Sequence, residues 1–264
     1  MNENPLVSVI VTTYNRKKLL KETIDSILNQ TYKNFELIVV DNCSDYDFFD
    51  HIKSFNDNRI KPFQNRNYGV IAINRNFGIK QTKGEYIAFC DDDDNWTAEK
   101  LDKQLSFMQD HEDIGLTYVP YSFLNVDGTI TGKLPKQKNI FRGKVFRQLY
   151  FKSIIANSGV VIRKDLVKEI GYLNEDIKYV AMEDYDYWLR ISLKTNVGYI
   201  EDEPLLLLRK WPNNISKGWL KQWKRSFVIH RGYKDQADNW LFLKTMLNDS
   251  IYYFAMYLKS KVFS

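Results

Sequence analysis

The chain has 264 residues, of which 44% are hydrophobic and 27% charged, a balance that is typical of a globular protein and excludes a disordered one. The formal net charge of +5 is too small to indicate nucleic-acid binding, and two cysteines, Cys43 and Cys90, exclude a disulfide framework or a zinc site. The first residues lack the pattern of a signal peptide, and no apolar stretch reaches the roughly 18 residues of a membrane span. We therefore expect a cytoplasmic protein with no nucleic-acid partner.

Strands and helices alternate over the first part of the chain. Apolar β-branched runs predict the strands, and apolar residues at helical spacing predict the helices. The predicted order is a strand at 6–13, a helix at 15–29, a strand at 35–40, a helix at 46–55, a strand at 60–63, a helix at 70–82, a strand at 86–90 and a helix at 98–110. This order predicts an α/β fold with a mainly parallel, Rossmann-like sheet and helices on both faces.

The second part is less regular. The pattern predicts a strand at 114–124, a hairpin turn at Asp127–Gly128, a strand at 158–163, a helix at 164–170, a helix at 183–194, a strand at 204–208 and helices at 217–231 and 238–258. The polar clusters of the first part fall at strand ends, where sheets of this kind bind their ligands.

Four consecutive aspartates, Asp91 to Asp94, follow the strand predicted at 86–90. Neighbouring carboxylates repel one another, so a cation or strong hydrogen bonds must hold them together. Oxygen ligands suit Mg²⁺ or Mn²⁺, which commonly bind one or two carboxylates and a substrate phosphate. The strand-end position favours a metal site over a solvated acidic turn that caps the next helix.

Three further features carry two interpretations each. Glu183–Asp184–Tyr185–Asp186 begins a predicted helix, so its acids either complement the helix N-terminus or supply a general base beside the metal site. Asp41 ends the second strand and can accept hydrogen bonds from a nucleobase or ribose, or cap the next turn. Arg75 can meet a phosphate or form a structural ion pair.

Together these segments resemble glycosyltransferase family 2, whose members have the GT-A fold. The resemblance covers about residues 5–216, and the segments that carry it are Val7–Arg16, Glu36–Asp41, Asn67–Gly69, Asn74–Asn76, Lys83–Phe89, Asp91–Trp96 and Glu183–Arg190. It implies a nucleotide-sugar-binding half at 1–112 and an acceptor-binding and catalytic half at 113–216. Residues 217–264 lie outside the resemblance, and their pattern predicts a C-terminal helical extension.

The resemblance implies an inverting transfer of a sugar from a nucleotide-diphosphate sugar, above all a UDP-sugar, to a hydroxyl of a glycan acceptor in surface polysaccharide biosynthesis. It implies that the nucleotide is contacted by Thr13, Tyr14, Asp41, Arg75, Asp91 and Asp92.

The same resemblance assigns the chemistry. Asp93, with Asp91, would bind Mn²⁺ or Mg²⁺, the cation that stabilises the leaving diphosphate. Asp184 would be the catalytic base, and Glu183 would help to place the acceptor.

Trp211 departs from the family pattern, because relatives commonly carry there a His that binds metal or diphosphate. Tryptophan cannot ligate an ion, so either Arg209 or Lys210 meets the phosphate charge or the metal dependence is altered. Trp211 itself would stack on a sugar or pack. The departure keeps open a degenerate domain that binds nucleotide or a partner without turnover. A sugar nucleotidyltransferase is disfavoured because residues 12–18 contain no glycine.

Positive charge is concentrated at the end of the chain. Residues 209–264 contain 11 Lys and Arg against 3 Asp and Glu, together with four of the six tryptophans. We expect a basic aromatic helix that lies on the inner face of the plasma membrane and brings a lipid-linked acceptor within reach, through Lys217, Trp219, Lys221, Trp223, Lys224 and Arg225. The alternatives are a helical pair packed on the domain with solvated lysines, or a surface that pairs two subunits in a homodimer.

Overall fold

The computed structural model describes residues 4–125, 128–130, 140–211 and 219–262. The strands are β1 Val7–Thr13, β2 Phe35–Asp41, β3 Ile60–Gln64, β4 Tyr86–Asp91, β5 Asn95–Trp96, β6 Ile114–Tyr118, β7 Tyr121–Leu124, β8 Val161–Arg163, β9 Asn196–Tyr199 and β10 Leu206–Arg209. The helices are α1 Lys17–Leu28, α2 Phe48–Lys53, α3 Ile71–Gln81, α4 Lys100–Asp110, α5 Phe146–Phe151, α6 Leu166–Ile170, α7 Glu183–Ser192, α8 Trp219–Gly232, α9 Lys234–Ala237 and α10 Asn239–Val262.

A seven-stranded sheet in the order β3-β2-β1-β4-β8-β6-β9 forms the centre of the described structure. Strands β1 to β4 run parallel to one another, and β8 is antiparallel to both of its neighbours. A smaller sheet joins β5, β10 and β7. The predicted α/β fold with a mainly parallel sheet is therefore confirmed. Strands from both predicted halves share the large sheet, while the proposed boundaries at residues 112 and 216 stay predictions.

Both faces of the large sheet are covered, which explains the continuous apolar runs in its central strands. Every residue of β1 is buried. Val9 and Val11 belong to one core cluster with side chains of α1 and α4, whereas Ile10 belongs to the other with side chains of α3 and α7. Because β1 pairs in parallel with both β2 and β4, the carboxyl ends of these three strands lie at the same end of the large sheet.

The second half differs from the prediction in several elements. The strand predicted at 114–124 is two strands, β6 and β7, which belong to different sheets because the chain changes direction at Val119–Pro120. The strand predicted at 158–163 begins only at Val161, after a 3₁₀ turn over Asn157–Gly159. Strands β5 and β9 and helix α5 were not predicted, because they are too short to show a hydrophobic period. Asp127 lies outside the described residues, although an isolated bridge from Leu124 to Ile130 closes the predicted hairpin.

The C-terminal helices pack on the face of the sheet that α3 and α7 cover. Ile229 of α8, Ala237 of α9 and Leu241 of α10 are buried in the core cluster of that face. Trp223, expected to meet a bilayer, is instead half-buried in the helix pair, and its indole N–H donates to Ser250 Oγ across 3.1 Å. For Trp223 the packed-pair alternative is therefore the observed one; Lys217 and the Trp219 side chain lie outside the description. Within the described residues, no helix is long and apolar enough to cross a bilayer.

Candidate active site

The aspartates Asp91 to Asp94 leave the end of β4 and meet the first turn of the chain beyond β1. Asp92 is 5% exposed and accepts hydrogen bonds from the Thr13 hydroxyl at 2.7 Å and from the Arg16 guanidinium at 2.9 Å. Burial raises the pKa of Asp92 to about 6, although both Arg16 and Thr13 act to lower it. Asp92 thus ties β1 to the acidic loop.

Asp94 is the most enclosed carboxylate of the run. The Ser158 hydroxyl donates to its Oδ2 across 2.5 Å, and the Arg209 backbone N–H donates to its Oδ1 across 2.8 Å. Burial, reinforced by the charges of Asp91 and Asp93, raises the pKa of Asp94 well above its usual range. Asp94 therefore joins three segments of the chain at the base of the site and is not open to a ligand.

Asp93 accepts two hydrogen bonds on the same oxygen. Its Oδ2 lies 2.8 Å from Arg16 Nη1 and 2.7 Å from Trp211 Nε1. Burial and the nearby Asp91 raise the pKa of Asp93, while Arg16 and Trp211 lower it. Trp211 also packs in the site, because its ring centre lies 5.9 Å from Arg16 Cζ, so the packing alternative holds together with a hydrogen bond to the predicted metal ligand.

Arg75 connects the acidic loop to the start of α7. One terminal nitrogen donates to Asp91 Oδ1 across 2.8 Å, and the other donates to Glu183 Oε1 across 2.7 Å. The Asn157 side-chain amide adds a third bond, to the same Asp91 oxygen, at 2.9 Å. Burial lowers the pKa of Arg75, but Asp91 and Glu183 outweigh it and raise the pKa. The ion-pair interpretation of Arg75 is the observed one, and the pair brings both acidic motifs into one site.

Asp184 lies beside this cluster on the first turn of α7. Its Oδ1 accepts the Tyr185 backbone N–H across 2.7 Å, which leaves Oδ2 outside that bond. Burial, then the charge of Glu183, raises the pKa of Asp184 to about 6, while Arg75 opposes the rise. A carboxylate with this pKa is mostly ionised at neutral pH yet can hold a proton briefly, as a general base must.

Two buried oxygens of the site have no hydrogen-bond partner among the described residues: Glu183 Oε2 and Asn157 Oδ1. Buried acceptors are nearly always paired in native proteins, so each is a position for a donor from a bound molecule. Because the partners of both residues are Arg75 and Asp91, the two acceptors adjoin the same cluster.

The other predicted nucleotide contacts lie at the ends of β1 and β2. Tyr14 is 52% exposed at the rim, where the following Asn15 takes a left-handed φ of 54° that few other residue types tolerate. Asp41 is fully buried, and it accepts bonds from Ser44 and from the Gln64 side chain at 2.9 Å. Asp41 therefore caps the turn after β2 in this structure, and Thr13 is engaged by Asp92.

The acidic loop also offers oxygens to a cation. Within the described residues no group of three or more His, Cys, Asp and Glu side chains is placed to hold a metal ion. Arg75 and Asn157 donate to Asp91 Oδ1, and Arg16 and Trp211 donate to Asp93 Oδ2. None of these four bonds uses Asp91 Oδ2 or Asp93 Oδ1. Two carboxylate oxygens suit a divalent ion that takes its remaining ligands from phosphate and water. The donor set fits Mg²⁺ or Mn²⁺ shared with a diphosphate.

Arg209 is not available to a phosphate. Its side chain is 2% exposed and is held by Glu22 at 2.7 Å and by the Asp93 carbonyl oxygen at 2.8 Å. Of the two residues considered for the phosphate charge, Arg209 is thus engaged within the protein, whereas Lys210 is exposed beside Phe123. Sequence reasoning also missed Arg16, Asn157 and Ser158 as site residues. Arg16 could have been predicted as a site residue, because it follows the Thr-Tyr-Asn turn, whereas no local pattern marks Asn157 or Ser158.

The fold and site define a glycosyltransferase of the GT-A type. The family model for glycosyl transferase family 2 matches residues 8–171, and the chain belongs to that family. It is 36% identical over 189 residues to the UDP-Glc:alpha-D-GlcNAc-diphosphoundecaprenol beta-1,3-glucosyltransferase WfaP of Escherichia coli, an alignment that covers 72% of this chain and 71% of WfaP. It is 29% identical to the putative teichuronic acid biosynthesis glycosyltransferase TuaG of Bacillus subtilis, covering 87% and 89% of the two chains.

Solved structures agree on the fold. The chain matches TarS residues 1–349 of S. aureus with a TM-score of 0.68 and 22% identity, covering 92% of this chain and 71% of that one. It matches the mannosyltransferase PcManGT of Pyrobaculum calidifontis, solved with GDP-Man and Mn²⁺, with a TM-score of 0.63 and 17% identity, covering 96% and 70%. At these identities the likeness is one of fold.

Proposed function

We propose that this chain transfers a sugar from a nucleotide-diphosphate sugar, most directly a UDP-sugar, to a hydroxyl of a lipid-linked glycan by single displacement with inversion. The observation that carries the proposal is the Arg75 bridge, which holds Asp91 of the acidic loop and Glu183 of the catalytic helix in one cluster at 2.8 and 2.7 Å. A donor-diphosphate site and a general base must adjoin for such a transfer, and the contact between the two acidic motifs supports that arrangement.

The donor end is built from the strand ends. Exposed Tyr14 would stack on the base, and the strand ends at Thr13 and Asp41 would border the base and ribose. Arg75, Asp91 and Asp92 would line the path from ribose to diphosphate, and exposed Lys210, which follows the Arg209 that bonds Asp94, would meet the diphosphate charge. Asp91 and Asp93 would hold Mn²⁺ or Mg²⁺, which when bound supplies positive charge for the departing diphosphate.

The chemical step is assigned to Asp184. Its Oδ2, free of the Tyr185 bond, would take the proton of the acceptor hydroxyl as that oxygen bonds to C1 of the sugar. The bond from C1 to the diphosphate oxygen breaks at the opposite side, and the diphosphate leaves with the electron pair. Attack from the side opposite the leaving group inverts C1. The unpaired oxygens of Glu183 and Asn157 would receive hydroxyl hydrogens of the bound sugars.

The lipid-linked acceptor is inferred from relatives. WfaP and WfgD of Escherichia coli both act, by name, on GlcNAc-diphosphoundecaprenol, and WfgD is 31% identical over 223 residues. Cys43 and Cys90 are both free thiols, which suits a reducing compartment. We therefore place the reaction in the cytoplasm, at the inner face of the plasma membrane, in the synthesis of a surface polysaccharide.

The test is nucleotide release from a panel of UDP- and dTDP-sugars in the presence of Mn²⁺, Mg²⁺ or EDTA. We expect release from one donor, with loss of release in EDTA and in Asp93→Asn. Absence of release from every donor, together with absence of UDP binding in Mn²⁺, would overturn the proposal.

A degenerate domain without turnover is the second candidate. The observation that favours it is Asp93, whose Oδ2 is already held by Arg16 and Trp211. In that case UDP would bind and no donor would be consumed, even with GlcNAc-diphospho-lipid supplied as acceptor.

A further inference from the structure

The long helix α10 presents an apolar face to solvent. Six apolar side chains along it are between 49% and 66% exposed: Trp240, Leu243, Leu247, Ile251, Phe254 and Leu258. We name these six residues the α10 stripe. Exposed single apolar residues are ordinary, but a contiguous set on one helix face marks an interaction surface.

The opposite face of α10 is fixed to the protein. Leu241 and Thr245 are buried, Phe242 contacts Phe227 of α8, and Ser250 accepts the indole N–H of Trp223. These contacts prevent the helix from turning its apolar stripe inward. The α10 stripe is therefore a stable feature of the surface and is not a core face waiting to be buried within the chain.

The spacing of the α10 stripe repeats every 11 residues. Trp240 pairs with Ile251, Leu243 with Phe254, and Leu247 with Leu258. Because three turns of an α-helix take about 10.8 residues, an 11-residue repeat drifts by only about 20° and runs almost straight along the helix for about 27 Å. A left-handed coiled coil needs two rows of apolar residues at a seven-residue spacing, and here the second row stops, because Ser250 and Tyr257 follow Leu243 at that spacing. An 11-residue repeat suits either a flat partner or a right-handed coiled coil with a second copy of the chain, so the charge beside the stripe decides between them.

Charge at the stripe indicates which partner. Lys244 lies beside the stripe, with its Nζ 4.9 Å from the centre of the Trp240 ring and 5.0 Å from that of Phe151. Helices α8 and α9 add exposed basic residues at Lys221, Lys224, Arg231 and Lys234. Of the acids in the described part of these helices, Asp249 is bonded to Ser226, Asp238 is paired with Arg147, and Asp235 is exposed next to Lys234, so exposed bases outnumber exposed acids. Basic side chains beside an aromatic and aliphatic face are typical of helices that lie in the headgroup region of anionic bilayers.

We propose that the α10 stripe is a bilayer-docking face, on which α10 lies parallel to an anionic membrane with its six apolar side chains inserted among the headgroups. This docking face differs from the membrane-binding helix that the sequence predicted. It lies on α10, whereas the predicted one included Trp223 of α8. Docking would hold the protein at the surface in which a lipid-linked acceptor lies. The inference stands on the exposed face itself and does not rest on the transferase activity.

The test is cosedimentation of the full chain with sucrose-loaded vesicles, without donor or acceptor. We expect binding to equimolar phosphatidylcholine and phosphatidylglycerol, weaker binding to phosphatidylcholine alone, and about a tenfold loss of binding in Leu247→Glu and in Phe254→Glu. Met256→Glu is the matched control, since Met256 is 46% exposed on the same helix but lies away from the stripe, and it should retain binding.

Three outcomes would overturn the proposal. Wild-type chain that stays in the supernatant with anionic vesicles would do so, as would stripe variants that bind as well as Met256→Glu. A wild-type dimer that light scattering finds monomeric in Leu247→Glu would assign the stripe to a second copy of the chain. Circular dichroism of each variant shows that loss of binding is not loss of folding. Because no step of this experiment needs turnover, its failure is separate from failure of the proposed transferase function.

Discussion

Arg75 of helix α3 donates to Glu183 of helix α7 across 2.7 Å, although the two residues are 108 positions apart in the chain. The Arg75 and Glu183 side chains are only 6% and 5% exposed, so the two groups pair away from solvent. The same guanidinium reaches Asp91 at the end of β4. These ion pairs fix the spacing between the acidic loop and helix α7.

We expect strong coupling between Arg75 and Glu183. Breaking a buried pair leaves an uncompensated charge and costs about 3–5 kcal/mol. In a double-mutant cycle of Arg75→Met and Glu183→Gln, urea unfolding should show a coupling free energy of about 1–3 kcal/mol. The exposed pair Lys21–Asp25, cut by Lys21→Met and Asp25→Asn, is the control and should show almost none. If the two substitutions change the free energy of unfolding additively, Arg75 and Glu183 do not form the ion pair described above.

The rate should depend on the ionisation of Asp184. Burial and Glu183 raise its pKa to about 6, and a base must be ionised to accept a proton. We expect kcat/KM for transfer to fall as pH decreases through about 6. Because Arg75 lowers this pKa, Arg75→Met should move the fall to higher pH. A rate that is constant down to about pH 4, or a shift to lower pH in Arg75→Met, would exclude Asp184 as the titrating group.

The stability of the folded protein should decrease as pH rises, whereas the rate of transfer should increase. The folded-state pKa values of Asp92 and Asp184 are about 6 and their ordinary value is 3.8, so the folded protein binds more protons than the unfolded chain between these limits. Their contribution to stability is complete below the ordinary value and is lost as pH rises through about 6. Asp184→Asn should therefore raise Tm by a few degrees at neutral pH, and the gain should shrink near pH 5.

Scanning calorimetry at the two pH values checks this expectation. Asp110→Asn, on the exposed end of α4, is the control and should change Tm equally at both. A lower Tm for Asp184→Asn at neutral pH would contradict the burial argument.

Trp211 should control the affinity of the acidic loop for a divalent cation. Its indole N–H lies 2.7 Å from Asp93 Oδ2, so a histidine at this position would place a ring nitrogen beside the predicted metal ligand. We expect Trp211→His to bind Mn²⁺ about tenfold more tightly than Trp211→Phe in the presence of UDP, measured by calorimetry. Equal Mn²⁺ affinities would show that the cation is not held near Asp93.

The order of strands and helices and both acidic motifs were predictable, because each is a local pattern of a few residues. The packed partners of those motifs were not. Arg16 meets Asp93 across 77 positions, and Ser158 meets Asp94 across 64. Nothing in the sequence around Ser158 marks it as a partner of a carboxylate, because the contact is created only when β8 pairs with β4.

Long polar side chains were the least predictable. The sequence left open whether Arg209 or Lys210 faces a phosphate, and Glu22 and the Asp93 carbonyl hold Arg209 in the interior. The orientation of the C-terminal aromatic residues was likewise not predictable from sequence. Composition indicated a membrane-seeking tail, but only helix packing decides that Trp223 faces its neighbour while Trp240 faces solvent.

We propose that Asp184 is the base of the transfer and that other residues of the site bind the donor. The most direct measurement compares wild type with Asp184→Asn in two assays, UDP-donor binding by calorimetry and sugar transfer to a GlcNAc-diphospho-lipid. We predict that the variant binds the donor within about threefold of wild type and loses transfer by about 10²–10⁴-fold. Transfer by Asp184→Asn at the wild-type rate would contradict the account.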